Sequence, residues 1–484
     1  MNSSPAATKR PDHDLRVTDG VNLAHLLKMR AAGIPEPTIA AFLGALEKVR
    51  TGDRGILPEA AIEPIASFPK LEELDQGAVA DNAMLRQLVV FKLNGGLGTS
   101  MGLDRTKSLI PVRGDDTFLD FTVRQMLGLR LRTGSRYPAF YLMNSFTTRR
   151  ETLEFLGRYP DLADGNGVDF LQSMVPKVDP QTFAPVAWPD QPDLEWCPPG
   201  HGDFYPSILG CGLLDRLLNS GIRYAFISNS DNLGANVDLR LLRYFVERDF
   251  PFLMEVAQRT AADRKGGHLA RRRPAGRLLL RESAQSLKEE EAQFQDIRRY
   301  CFFNTNNLWI RLDRLKAELQ RQGGVLPLPL IANVKNVDPR NPASPKVLQL
   351  ESAMGAAIEC FDGADAIVVP RWRFAPVKAT ADLAALRSDA YRVTADDRLE
   401  LVPSRQGRPP LVELDPRHYN VMASFERFFR AGVPSLAACE SLKVIGPVEF
   451  SAQVICQGTI EFHNASPETK SVAPGVYHDQ RVQL

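Results

Sequence analysis

Between residues 87 and 388 the chain keeps returning to one pattern: a short apolar run, a polar or glycine-bearing turn, then a stretch of helical periodicity. The apolar runs fall at 88–93, 139–143, 224–227, 252–256 and 366–370, and helical stretches at 118–131, 147–156 and 239–247. Alternation of this kind predicts an α/β domain built on a largely parallel sheet. In such sheets ligands bind beyond the carboxyl ends of the strands. Polar residues just after the apolar runs are therefore the functional candidates.

The flanks read differently. Residues 1–18 have the composition of a disordered tail. Over 21–49, Leu23, Leu26, Leu27, Ile39, Phe42, Leu43 and Leu46 recur at helical spacing, which predicts a small helical cap. Pro58, Pro64 and Pro69 mark a looser connector. Beyond Arg392 the helical signal fades. In 442–462, LKVIGPVEFSAQVICQGTIEF, Val444, Val448, Val454 and Ile460 recur with glycines between them. That spacing suits short coils of a β-helix or an ordinary pair of β-hairpins.

Charge and cysteine content exclude several classes. With 59 basic and 58 acidic side chains, the chain lacks the surplus expected of a polyanion binder. Its densest basic cluster, Arg271 to Arg273 with Arg277 and Arg281, reads as a solvated loop. Cys197, Cys211, Cys301, Cys360, Cys439 and Cys456 show no CxxC spacing, and the histidines no HExxH, so zinc and thioredoxin-type sites are not expected. So few cysteines suit a reducing cytoplasm. The N-terminus lacks a signal-peptide apolar segment, and no run of about 18 apolar residues occurs to span a membrane. A cytoplasmic protein with neither nucleic-acid nor membrane partners is expected.

The run at 88–93 opens into NGGLGTSMGLDRTKS. This misses the GxxxxGK[ST] phosphate loop, because Thr106 precedes Lys107, and misses GxGxxG, because Met101 stands at the third glycine. The physical content survives both misses. Gly95, Gly96 and Gly98 let the backbone approach an anionic ligand and present N–H groups. Thr99 and Ser100 add hydroxyls, and Lys107 adds a cation.

LNGGLGTSMG followed by KS resembles the signature of the eukaryotic-type UTP–glucose-1-phosphate uridylyltransferases, or UDP-glucose pyrophosphorylases. The resemblance runs over about 88–388 through FLQSMVPKV, PPGHGDFYPSI, ISNSDNLGA, DRKGGHL, FNTNNLW, KVLQLESAMGAAI and RFAPVKATADL, in the family's order. It implies a Rossmann-like (GT-A-like) nucleotidyltransferase fold with a mixed, mostly parallel sheet flanked by helices, a helical N-terminal segment and a C-terminal β-helix-like domain. The implied boundaries are 1–86, 87–390 for catalysis, and 391–484. The implied reaction joins UTP and glucose 1-phosphate into UDP-glucose and pyrophosphate. The sugar phosphate oxygen, already ionised, attacks the α-phosphorus in line, so positioning and charge neutralisation matter more than a base.

Carried over by position, Leu93, Gly95 and Gly96 would lie against the uridine, with Gly98 and Thr99 at its phosphates. Lys107 would neutralise the triphosphate, and Lys378 would reach the phosphates from the far side. Gln172, a donor and acceptor, suits the uracil edge; by local sequence alone it reads as an exposed polar residue. Gly200 would meet the base, and His201 would donate near the bridging phosphates. Asp231, just past a strand, matches the carboxylate at the ribose and at magnesium, the implied cofactor. Asn229 would contact sugar or phosphate, and Gly267, Glu282, Asn304 and Asn306 the hexose. Lys177 is a weaker, structural candidate. The family contains monomers and larger assemblies, and places any homo-oligomer contact on the C-terminal domain.

Two departures bear on these expectations. The family usually has GPK where this chain reads Arg105-Thr106-Lys107, which predicts a looser loop. His268 stands where a small hydroxyl residue is common, which puts glucose specificity in question. A broader UDP-sugar pyrophosphorylase and a non-catalytic nucleotide-sugar binder are the competing readings.

Overall fold

The computed structural model describes residues 19–484 except 54, 78, 99–100, 104, 135, 164–166, 261–262 and 275. The expected tail at 1–18, and Thr99 and Ser100, lie outside the described residues. The chain divides into two compact units. One comprises Met1–Gly55, Ser173–Leu213 and Lys316–Ala353; the other Ile56–Gln172, Leu214–Leu315 and Met354–Leu484.

In the first unit the predicted N-terminal helices are Gly20–Ala31 and Glu36–Arg50. Asp19 starts the first by accepting from the Asn22 N–H (2.9 Å). Pro37, in the first turn of the second, gives up an N–H that would have no partner there. Leu26, Met29, Ile39, Phe42 and Leu46 pack with Val175, Val178, Cys197 and Leu350 in one core. Each such side chain contributes roughly 1.5–3 kcal/mol on burial. An antiparallel hairpin, Ile331–Asn336 with Lys346–Glu351, completes the unit's main elements.

The second unit is built on a ten-stranded mixed sheet. At its centre Leu88–Asn94 lies between Ala139–Asn144 and Tyr224–Asn229, parallel to both, and Asp169–Leu171 adds a further parallel strand. All seven residues of Leu88–Asn94 are buried, which is why this strand reads as a continuous apolar run and not an alternating one. Past Tyr224–Asn229 the next pairings are antiparallel. Phe302–Arg311 pairs there, followed by Phe252–Gln258 and His268–Arg272. Asp365–Val368 then adds a parallel strand beside Phe252–Gln258. The helix Phe118–Thr133 starts with a Thr117/Asp120 capping box and ends at Gly134 in the left-handed region. Leu239–Glu247 is capped by Asp238.

Lys92 is the one charged residue of the central strand. Its ammonium donates to Ala235 O. Burial, then the charge of Arg373, pushes its pKa down to about 7 from an ordinary 10.5, against the opposing pull of Glu255 and Asp231. Below about pH 7 both folded and unfolded chains carry the proton, and the full burial penalty stands. Between about 7 and 10.5 the unfolded chain binds more protons, so stability rises with pH. The urea midpoint of the protein, measured relative to a Lys92→Met variant, is therefore expected to climb from pH 7 to pH 10. A flat difference would contradict this account.

At the C-terminal end, Leu411–Leu414, Ser435–Ile445, Val454–His463 and Gly475–Gln483 pair in that order, every pairing parallel. Val448–Phe450 and Lys470–Val472 form a second parallel pair. Parallel neighbours cannot be joined by tight hairpins, and across these pairings Val444 lies in register with Phe462 and Phe462 with Val482. Leu442, Val444, Phe450, Ile460 and Phe462 are buried together inside.

Candidate active site

The glycine loop leaves the central strand at Asn94. The Asn94 side-chain amide donates to Asn144 Oδ1 (2.8 Å) and Thr152 Oγ1 (3.0 Å), fixing the exit to its neighbours. Leu93 is buried on the strand just before. A Cβ on Gly95 would collide with Gln172 Oε1, so that backbone and the Gln172 amide lie against each other. The Gln172 N–H donates to Asn144 O (2.7 Å). On the return, Gly98 N–H donates to Arg105 O (3.3 Å) and Lys107 N–H to Gly96 O (3.2 Å). Thr99 is outside the described residues.

The loop is not loosened at Thr106. That residue is fully buried, and its N–H and hydroxyl both donate to Glu151 Oε2 (3.0 and 2.9 Å). Its φ of −57° is already that of a proline. Hydrogen bonds to a carboxylate thus replace a pyrrolidine ring. Thr106→Val removes the hydroxyl bond alone. It should remove about 1 kcal/mol of stability or somewhat more, seen as a lower urea midpoint. An unchanged midpoint would show that the backbone bond suffices.

Lys107 Nζ meets Asp231 Oδ2 at 2.6 Å. Asp231 stands just past Tyr224–Asn229, on the strand beside the glycine loop's own. Its other oxygen, Oδ1, is buried with no hydrogen-bond partner among the described residues. Buried acceptors are usually satisfied by protein, an ordered water or an ion.

From there the expected residues run on in contact. Asn306 Nδ2 donates to Asn229 Oδ1 (2.9 Å), and Asn306 N–H to Asn304 Oδ1 (2.8 Å). Asn304 N–H reaches Gly267 O (3.4 Å). A Cβ on Gly267 would stand 2.6 Å from Glu282 Oε2. Asn306 takes φ of 59°, beside a register shift where Glu255 faces Asn307 but Val256 faces Asn304. Its Oδ1 is a second buried acceptor without a partner among the described residues. Burial raises the Glu282 pKa, and the Lys378 charge draws it partly back. Lys378 is exposed at the start of the helix Thr380–Arg387.

Gly200 and His201 belong to the first unit. Gly200 has φ of 79°, and a Cβ there would stand 2.5 Å from Ser352 O. Burial lowers the His201 pKa to about 4, so the imidazole is neutral at pH 7 and can donate one N–H. Lys177, buried, donates to Val337 O (2.8 Å), a structural contact.

His268 is fully buried, stacked on Tyr300 with centroids 3.9 Å apart and packed on Phe294. Burial, then Arg259, pushes its pKa down to about 3. The basic segment is paired too: Arg272 with Glu359, Arg273 with Glu63 (3.5 Å), and Arg277 with Asp362 (2.5 Å).

Sequence reasoning passed over Glu151, Glu255 and Arg373. For Glu255 there was a signal, a lone carboxylate inside the apolar run FLMEVA. Among the described residues no cluster of three or more His, Cys, Asp or Glu side chains is arranged to hold a metal. Asp231 Oδ1 offers one carboxylate oxygen, which suits an ion completing its shell with phosphate oxygens and water. No helix among the described residues is long and apolar enough to cross a membrane.

A family model described as UTP–glucose-1-phosphate uridylyltransferase matches residues 47–457. An enzyme of that description from Solanum tuberosum is 40% identical over 403 residues, 82% of this chain and 81% of its own. One from Saccharomyces cerevisiae is 40% identical over 380 residues, 78% and 74% of the two chains. Among solved structures, UDP-glucose pyrophosphorylase of Leishmania major superposes with a TM-score of 0.92 at 46% identity, over 96% of this chain and 100% of that one. A Leishmania major variant bound to UDP-glucose gives 0.91 at the same identity and coverage. A glycine loop closed by a lysine–aspartate pair thus sits in a chain that matches these relatives over most of its length, and the chain belongs to the UTP–glucose-1-phosphate uridylyltransferase family.

Proposed function

We propose that this chain forms UDP-glucose and pyrophosphate from UTP and glucose 1-phosphate along the line from Lys107 to Lys378. The observation that carries the reading is the Lys107–Asp231 pair, which ties the return of the glycine loop to the turn just past Tyr224–Asn229, with Asp231 Oδ1 unpaired among the described residues. Gly95, Gly96 and Gln172 take the uridine, with Leu93 beneath and Gly200 against the base. Gly98, Thr99 and Lys107 hold the triphosphate. Asn229, Asn304, Asn306, Gly267 and Glu282 hold the hexose, and His201 donates to phosphate. Lys378, beside Glu282 electrostatically, offsets charge on the sugar phosphate. Its oxygen attacks the α-phosphorus and the bond to the leaving pyrophosphate breaks. No proton need move, because the attacking oxygen is already anionic. Magnesium held at Asp231 would supply further neutralisation of phosphate charge.

We further read 87–390 as the catalytic domain, 1–86 as tail and helical segment, and 391–484 as ending in a β-helix, supported by its parallel pairings. Free cysteines support a cytoplasmic setting. Homo-oligomers, if formed, would use the C-terminal domain, which light scattering of a truncated chain would test.

The reaction is tested with UTP, magnesium and a panel of sugar 1-phosphates, following pyrophosphate and identifying the product. UDP-glucose should dominate. Equal rates across the panel would favour a broad UDP-sugar pyrophosphorylase, and binding without pyrophosphate release a nucleotide-sugar binder. The family matches favour neither alternative.

A further inference from the structure

Glu255 and Arg373 form an ion pair in which both side chains are wholly inaccessible. Two Glu255–Arg373 bonds (2.8 and 2.7 Å) make it bidentate. Apolar residues of similar volume usually serve stability as well as such a pair, because both charges lose their water. Its presence therefore asks for a reason other than stability.

The partners of the pair supply one. The Glu255 carboxylate also accepts from Asn307 Nδ2 and Trp309 Nε1, both at 3.0 Å, and its backbone oxygen accepts from Thr305 Oγ1 (2.6 Å). Those three residues bracket the register shift at which Asn306 turns to φ of 59° and meets Asn229. The Arg373 guanidinium donates to Asn236 Oδ1 (3.1 Å) and Asn236 O (2.9 Å). Arg373 O accepts from Asn232 Nδ2 (3.0 Å), and Asn232 Oδ1 accepts from Ala375 N–H (3.0 Å). Asn232 follows Asp231 directly, and Ala375 leads to Lys378. The same two segments press together at Gly234, where a Cβ would run into Trp372 O.

We propose that Glu255 and Arg373 are positioning residues for the transfer reaction. Through one buried fork they fix the spacing between the loop bearing Asp231, the bulge presenting Asn306 and the segment leading to Lys378. Neither touches substrate. Geometry at the reacting atoms is what the pair controls, so its loss falls on turnover; a misplacement of about 1 Å can lower a rate on the order of 10²-fold. The uracil contacts should be spared, because Gly95, Gly96 and Gln172 lie outside the network. The inference rests on the site reading given above.

Arg373→Lys keeps the charge but cannot hold Glu255 and Asn236 together, since an ammonium lacks the planar fork. Glu255→Gln keeps shape but loses charge. Each is measured for folded fraction by circular dichroism, then for kcat and both KM values at a temperature where it is folded. The expected result is a fall in kcat of about 30-fold or more in folded protein, with the UTP KM within about twofold of the parent value. A kcat within about twofold in a folded variant overturns the proposal. So does an activity loss that only follows the folded fraction, or one carried by the UTP KM. Should neither variant fold, Asn232→Ala cuts the same link without stranding a buried charge, and the same outcomes decide. Lys107→Met separates the two ideas: if it leaves turnover intact, the site reading itself fails, whatever the fork variants do.

Discussion

Lys107→Met should lower kcat for UDP-glucose formation by about 10²- to 10³-fold while leaving the fold intact. That is the scale expected when one pre-placed electrostatic group is removed from a phosphoryl or acyl transfer site. Lys107 is anchored by its own backbone bond to Gly96 O, so the loop should keep its path without the ammonium. Methionine is unbranched and of similar length, so little packing is lost. Asp231 would then lack its counter-charge, and the urea midpoint should fall modestly, since both side chains are about 16% exposed. Steady-state kinetics in both directions with a denaturation curve checks this. Loss of turnover matched by loss of folded protein would defeat it, as would an unchanged kcat.

Gly267→Ala should act on the sugar end alone. The added methyl would stand 2.6 Å from Glu282 Oε2, and the nearest atoms belong to a side chain, so Glu282 gives way before the backbone does. Glu282 is held in low-dielectric surroundings that already raise its pKa. Moving it disturbs both the proposed hexose contact and its electrostatic link to Lys378. The KM for glucose 1-phosphate should rise roughly 10- to 100-fold, or about 1.4–2.7 kcal/mol, with the UTP KM little changed. A parallel rise in both constants would mean that Gly267 supports the whole site and not the sugar subsite.

Local patterns carried much of the fold into the sequence. The helix expected at 239–247 is Leu239–Glu247, and the strand expected at 88–93 runs one residue further, because Asn94 is buried by side-chain bonds that periodicity cannot register. Parallel pairing at the centre was legible because a strand covered on both faces is apolar throughout. The antiparallel flank was less so: its strands have the same composition, and their direction depends on partners far along the chain. Glycines and the late lysine marked the loop, but Glu151 lies 45 residues from Thr106, and nothing local to Thr106 announces that bond. Glu255 and Arg373 are separated by 118 residues. The burial of His268 was not legible for a simpler reason. It opens a strand, and its place on the inward face follows from pairing with Phe303 and Arg281.

The Lys107–Asp231 contact also says something about the resting enzyme. A cation already held at 2.6 Å by a carboxylate is not waiting for the first anion to diffuse by. Any newcomer must compete with a neighbour whose effective concentration is very high. A lone monophosphate ion has little beyond its charge with which to win that contest. On the proposed reading, a nucleoside triphosphate would also meet the glycine loop and offset the lost contact with others. Internal neutrality would then work as a filter, favouring a polyvalent anion over the abundant small anions of a cell.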